Sequence, residues 1–250
     1  MAMAGEPQSG PRPSGPPGRE PSASAVFAVA VDLVQHLGER QTAAIESAGA
    51  LVAARLMSGG TGYVFGTGHS RCVAMELAGR AGGLALMKEL VLDDLVTAGL
   101  ASKQDLLDGT LERRPEAALT LLDGLRPEAE DFFIISSHSG CNGAPVEMAM
   151  QALARGLPVL AITSLEHSRV MPSRHPSGMR LFEVATQCID TCAPFADTAI
   201  PLPMGAGVCS VSSFAGVLIA QALTAEVVRH YLAAGEPPPV LVSRNLPATE

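Results

Sequence analysis

The chain contains no tryptophan, and aromatic residues make up only 4% of its 250 positions. It lacks the ring platforms that stack nucleic-acid bases or carbohydrate rings, so a sugar bound here would be held by hydrogen bonds and charge. Basic residues are also scarce: 17 Lys and Arg against 25 Asp and Glu leave a net charge of −8. Phosphate backbones recruit basic surfaces, so nucleic acid is not an expected partner. Cysteines are few and odd in number, five without metal-ligand pairing, which fits free thiols in a reducing cytoplasm. Cys188 and Cys192 could share a helical face, but two soft ligands without a second pair predict buried structural thiols, not a metal centre. No basic n-region followed by an apolar h-region opens the chain, so no secretory leader is expected. Apart from 208–225, no uncharged apolar run is long enough to span a bilayer. Serines, a glutamine and a glycine interrupt that one, so it reads as a buried helix and no membrane partner is expected.

Residues 1–25 are dominated by Pro, Gly and Ser, with almost no large apolar side chain. Such a segment cannot bury enough surface to offset its ordering entropy and is expected to be a disordered tail. The folded region, 26–245, begins with apolar residues at near-helical period (Ile45, Ala48, Val52, Leu56), which predicts two helical pieces about Gly38, stopped by Gly59 and Gly60. Short apolar runs then alternate with helical patterns. Strands are expected at 62–66, 84–87, 132–136, 158–163 and about 187–190, with helices at 70–82, 115–125, 143–155 and about 210–233. Strands apolar on both faces and separated by helices predict an α/β fold, a parallel sheet covered by helices on each side. The segment 168–181 reads as a loop and the last fifteen residues as an extended piece.

Two turns stand out: GTGHS at 66–70 after the first strand, and SSHSGCN at 136–142 after the third. In open parallel sheets ligands bind at such strand-to-helix turns. Glycines let backbone N–H groups approach closely, and a helix N-terminus adds positive partial charge. The hydroxyls of Ser70, Ser137 and Ser139 and the Asn142 amide could complete a phosphate's oxygens without a lysine. A lone turn of this kind could equally be a helix cap. A Walker A loop would need a terminal Gly-Lys-Ser/Thr, which is absent. A dinucleotide fingerprint would need a glycine where Arg71 stands, although Glu89 sits where a ribose-binding acid could.

FGTGHS, SSHSGCN and AITSLEHS together resemble the SIS (sugar isomerase) domain family of phosphosugar-binding proteins. From about 40 to 245 the chain is similar to stand-alone members long catalogued as an uncharacterised group, with SLEHS, SRHPSG and RAGGL as shared features. The resemblance implies a single-domain, three-layer α-β-α sandwich on a five-stranded parallel, flavodoxin-like sheet. It also implies a sugar-phosphate ligand, a homodimer or homotetramer with sites near subunit interfaces, and no cofactor or metal. Its second phosphate turn runs Ser-x-Ser-Gly-x-Thr, matched at Ser137, Ser139 and Gly140 but with Asn142 in place of threonine. The phosphate-binding set is thus Gly66, Gly68, His69, Ser70, Ser137, Ser139, Gly140 and Asn142, with Thr163 and Ser164 against the ligand or capping the following turn.

Aldose–ketose isomerisation removes a proton beside a carbonyl and so needs a positioned carboxylate or imidazole. Glu76, in ELAGR, resembles the catalytic glutamate context ELxGR of the phosphoheptose isomerase branch, but lies about one helical turn closer to the turn serine. A plain Glu76–Arg80 pair at i, i+4 is the alternative. Glu226, with His230 one turn on, is either exposed or a second acid–base group. His69 and His138 lie in the two turns, and His167 and His175 lie beyond the fourth strand, either one a candidate for opening the sugar ring. Binding without chemistry, and ether cleavage on a phosphorylated amino sugar, fit the same residues.

Overall fold

Every residue of FFIIS and VLAIT is buried, as the two-faced apolar pattern requires, and both are central strands. The computed structural model describes residues 20–203, 205–243 and 245; most of the expected tail, residues 1–19, lies outside these. Five parallel strands, β1 (Gly62–Gly66), β2 (Met87–Leu90), β3 (Phe132–Ser136), β4 (Val159–Thr163) and β5 (Gln187–Asp190), form one sheet in the order β2-β1-β3-β4-β5. Side chains alternate across it. Val64, Ile134, Leu160 and Ile162 pack with helices α1 (Ala23–Met57) and α2 (Arg71–Leu77). Tyr63, Phe65, Phe133, Ile135, Val159 and Ala161 face the opposite layer. That layer includes α3 (Asp93–Thr97), α5 (Pro115–Asp123) and α6 (Gly143–Ala154), with α4 (Lys103–Leu107) preceding α5. Short helices α7 (Leu165–Val170) and α8 (Leu181–Val184) follow β4. An antiparallel hairpin, β6 (Thr198–Pro201) and β7 (Gly207–Ser210), precedes the long α9 (Ser212–Ala233), which packs on α1 and α2. This is the expected three-layer, single-domain α/β sandwich.

Several boundaries differ from the sequence reading, each for a physical reason. α1 is one continuous helix, opened by Ser22, whose Oγ accepts the Ala25 N–H at 3.1 Å. It runs through Gly38 because a mid-helix glycine costs only about 1 kcal/mol, against a face on which Leu33, Leu37, Ile45, Ala48 and Val52 are all buried. α2 stops at Leu77, not near 82, and the second strand moves to Met87–Leu90. The intervening Leu84 instead bridges antiparallel to Val240 in the extended C-terminal segment. The hairpin was not legible: its strands are four residues long, and left-handed backbone at non-glycine positions falls just before β6, at Ala196 and Asp197, and within β7, at Cys209. It also claims the start of the 208–225 run, so that helix begins only at Ser212. Among the described residues no helix is long and apolar enough to cross a membrane. All five cysteines are free thiols; burial, as the largest influence, pushes Cys188 up to about 12 and Cys192 up to about 11.

Candidate functional site

The strand order reverses at β1, which lies between β2 and β3. The helix after β1 packs on one face of the sheet and the helix after β3 on the other, so the crevice between those strand ends is left open to a ligand. From Gly66 the chain passes through a single 3-10 turn, Gly68–Ser70, into α2. A Cβ on Gly66 would lie 2.5 Å from the Ser70 carbonyl oxygen, so only glycine lets this turn fold back on its strand. In the second turn Gly140 holds a φ of +61°, and a Cβ there would meet Ser168 Oγ at 2.8 Å.

The two turns are fastened to each other. Ser70 Oγ accepts the His138 N–H at 3.2 Å. Ser137 Oγ accepts from Gly140 N–H at 3.2 Å and Ser139 Oγ from Cys141 N–H at 3.4 Å. Each hydroxyl therefore spends acceptor capacity on the backbone and keeps its O–H proton to donate. Three such donors, with the start of the twelve-residue α6 behind them, suit the oxygens of an anion. His69 is exposed on the first turn.

Thr163 and Ser164 support this turn from behind. Both are fully buried. Thr163 Oγ1 and the Ser164 N–H donate to the His138 carbonyl at 3.2 and 3.1 Å. Ser164 Oγ donates to the Ala193 carbonyl at 2.7 Å and, as the cap of α7, accepts the His167 N–H at 3.1 Å. Asn142 is a strut: its Nδ2 donates to Glu112 Oε1 and its Oδ1 accepts from Arg174 Nη1, both at 2.8 Å. Arg174 also donates its backbone N–H to the Cys141 carbonyl at 2.8 Å, which puts a guanidinium beside the second turn. Arg174 is absent from the residues expected at the site; the signal for it in the sequence is a basic residue within SRHPSG.

Two imidazoles meet at the crevice. The His138 and His167 rings are 4.7 Å apart, and His167 stacks on Phe195 at 5.0 Å. His167 Nδ1 accepts the Ala196 N–H at 3.0 Å, which fixes the neutral tautomer with its proton on Nε2. Burial lowers the pKa of His138 and, together with the neighbouring His138 ring, pushes His167 down to about 4. Asp197 opposes both shifts, while its carboxylate caps α9 by accepting from Val211 N–H, Ser212 N–H and Ser212 Oγ at 3.0, 2.7 and 2.7 Å.

Three of the acid–base candidates are engaged elsewhere. The Glu76 carboxylate is bonded to Arg80 and, across to α9, to Gln221. Glu226 pairs with Arg229 rather than His230, its Oε2 accepting from Arg229 Nε at 2.7 Å. His175 is buried, with Nδ1 accepting the Ser177 N–H at 3.1 Å and Nε2 facing Glu147 Oε2 of α6 at 2.6 Å. Arg71 opens α2, and its Nε donates to Glu89 Oε1 at 2.8 Å, so the acid at the end of β2 is occupied.

This architecture and these turns can be set beside known proteins. An SIS domain model matches residues 27–164. The UPF0309 protein of Halalkalibacterium halodurans is 34% identical over 215 residues, 86% of this chain and 87% of its own. That of Caldanaerobacter subterraneus is 35% identical over 221 residues, 87% of this chain and 88% of its own. Among solved structures, phosphoheptose isomerases from Francisella tularensis and Neisseria gonorrhoeae superpose with TM-scores of 0.58 and 0.55 at 15% identity, each across 82% of this chain and 96% of theirs, a likeness of fold. With its model matched over more than half the chain and relatives aligned nearly end to end, the chain belongs to the SIS domain family, in the group of UPF0309 proteins.

Proposed function

We propose that the protein binds a sugar phosphate at the crevice between β1 and β3 and interconverts its aldose and ketose forms. The observation that carries this reading is the pair of Ser/Gly turns on adjacent strands, fastened by the His138 N–H to Ser70 Oγ bond. It leaves three O–H donors around one crevice, with the Arg174 guanidinium alongside. Proton transfer is assigned to imidazole, since His138 and His167 face each other at the crevice while Glu76, Glu226 and His175 hold other partners. His167, neutral with its proton on Nε2, is an acid–base group of suitable kind. The working protein is a cytoplasmic homo-oligomer.

That same engagement of the candidate carboxylates favours a second reading, a phosphosugar binder without chemistry. A proton and phosphorus NMR time course with hexose, pentose, heptose and amino-sugar phosphates separates the two. The expected result is new resonances growing in from one substrate, abolished in Ser70→Ala. Line broadening without new peaks would favour the second reading, and unchanged spectra with every sugar phosphate would overturn both.

A further inference from the structure

We infer that His138 takes up a proton when the anion binds, so that the phosphate is held partly by an imidazolium and ligand binding is coupled to pH. The inference rests on the phosphate-binding reading of the two turns and adds to it a charged ligand group and its control. Both ring nitrogens of His138, Nδ1 and Nε2, are buried, and neither has a hydrogen-bond partner among the described residues. A buried polar atom left without a partner carries a penalty that an apolar side chain of similar size would avoid. The ring lines a narrow slot shared with hydroxyl-bearing residues, among them Ser70, Thr191 and Ser212, and with the apolar Val73 and Ile162. Its backbone cannot swing it elsewhere, because the His138 N–H is held by Ser70 and its carbonyl by Thr163 and Ser164.

The charges around the ring determine where a proton goes. Asp197, from the segment leading into β6, favours the cation, but burial outweighs it and keeps His138 neutral in the unliganded protein. The Asp197 oxygens are committed to the N-terminus of α9, so its influence on the ring is through charge and not through a hydrogen bond. Across from it, His167 lies 4.7 Å away, and Arg174 acts on His167 to disfavour a second positive charge. His167 Nδ1 already accepts the Ala196 N–H and would lose that bond on protonation. An arriving dianion adds its charge to that of Asp197 and tips the balance at His138, the ring with free nitrogens.

The sign follows from linkage: where binding takes up a proton, affinity falls as pH rises, by up to ~10-fold per pH unit for one proton. The test uses sulfate, which stays doubly charged throughout, with inorganic phosphate and the sugar-phosphate panel beside it. The backbone amides of Ser70 and Ser137 to Cys141 report occupancy, and the ring nitrogens of His138 report protonation. Expected are shifted amides, His138 ring nitrogens moving to imidazolium values on binding, and a sulfate affinity that falls between about pH 6 and 8. His138→Asn should still bind sulfate but with that pH dependence gone. Shifted amides with a ring that stays neutral would overturn this inference and leave the phosphate site standing. Amides that no anion or sugar phosphate shifts would overturn the phosphate site and the inference with it. The wild-type ring spectrum decides the matter even if the variant does not fold.

Discussion

At His167 burial and a neighbouring ring act on a single proton, and the result is a stability that depends on pH. The imidazole is pushed down to about 4 from an ordinary 6.5, chiefly by burial and next by His138. Between those values an unfolded chain binds more protons than the folded one. Stability is therefore complete above about pH 6.5 and is lost as the pH falls toward about 4. The ring is partly exposed, so solvent screens the effect and His167 should contribute roughly 1–2 kcal/mol. Urea unfolding stepped from about pH 7 to about pH 4.5 should lose more stability in the wild type than in His167→Asn, whose amide oxygen can still accept the Ala196 N–H. Equal slopes would refute the assignment. The residue scale was only half legible: Ser70, Ser137 and Ser139 could be named from their glycine neighbours, but a side chain's partner is a tertiary fact. Nothing near Glu76 in the chain announces Gln221, 145 residues away, nor does SSHSGCN announce that Asn142 is spent on Glu112 and Arg174.

Between elements, close approach is set by glycines that periodicity treats as breaks. α9 crosses α1 at Gly49, where a Cβ would lie 2.5 Å from Glu226 Cβ, and it crosses α2 at Gly216, where a Cβ would lie 2.5 Å from Val73 Cγ2. Glu226 thus sits where two helices pack closely, its Cβ against Gly49 and its carboxylate on Arg229. Gly49→Val forces the helices apart, and such overpacking costs about 1–3 kcal/mol. Scanning calorimetry should then show a melting temperature lower by about 2–4 °C for each kcal/mol in a chain of this size. An unchanged melting temperature would mean that α1 and α9 do not meet at Gly49. The strands were readable to within a residue at β1, β3 and β4, because a central parallel strand is apolar on both faces. β2 was displaced because Lys88 and Glu89 break the apolar run at a sheet edge, where one side needs no cover.

Across the whole molecule, the ligand crevice and the apolar surface lie on different parts of the fold. The crevice opens at the carboxyl ends of β1 and β3. On α1, Phe27, Val31 and Val34 form a stripe at i, i+4 and i+7, exposed to 71, 56 and 42%. A stripe of this kind on a helix that is buried further along marks a contact surface. The homo-oligomer proposed above should use it. Light scattering should give the wild type at a multiple of the monomer mass and Phe27→Glu/Val31→Glu as a monomer. A wild-type monomer, or an oligomer that the double substitution leaves intact, would remove α1 from the interface.

From the sequence alone come the alternation of strand and helix, the three-layer α/β class and the chemistry of the two turns. Each depends on local physics: a side-chain period, the freedom of glycine, and the hydroxyl that serine places beside a backbone N–H. What only the tertiary structure decides is which of the candidate groups share a space. Strand order is not written in any one strand, and it is the reversal at β1 that brings the two turns to one crevice. Once that order is set, His138 and His167 face each other while Glu76 and His175 are drawn to partners on other elements. The physical reason is reach: local rules act over a few residues, whereas the bonds that assign these groups join residues up to 145 positions apart.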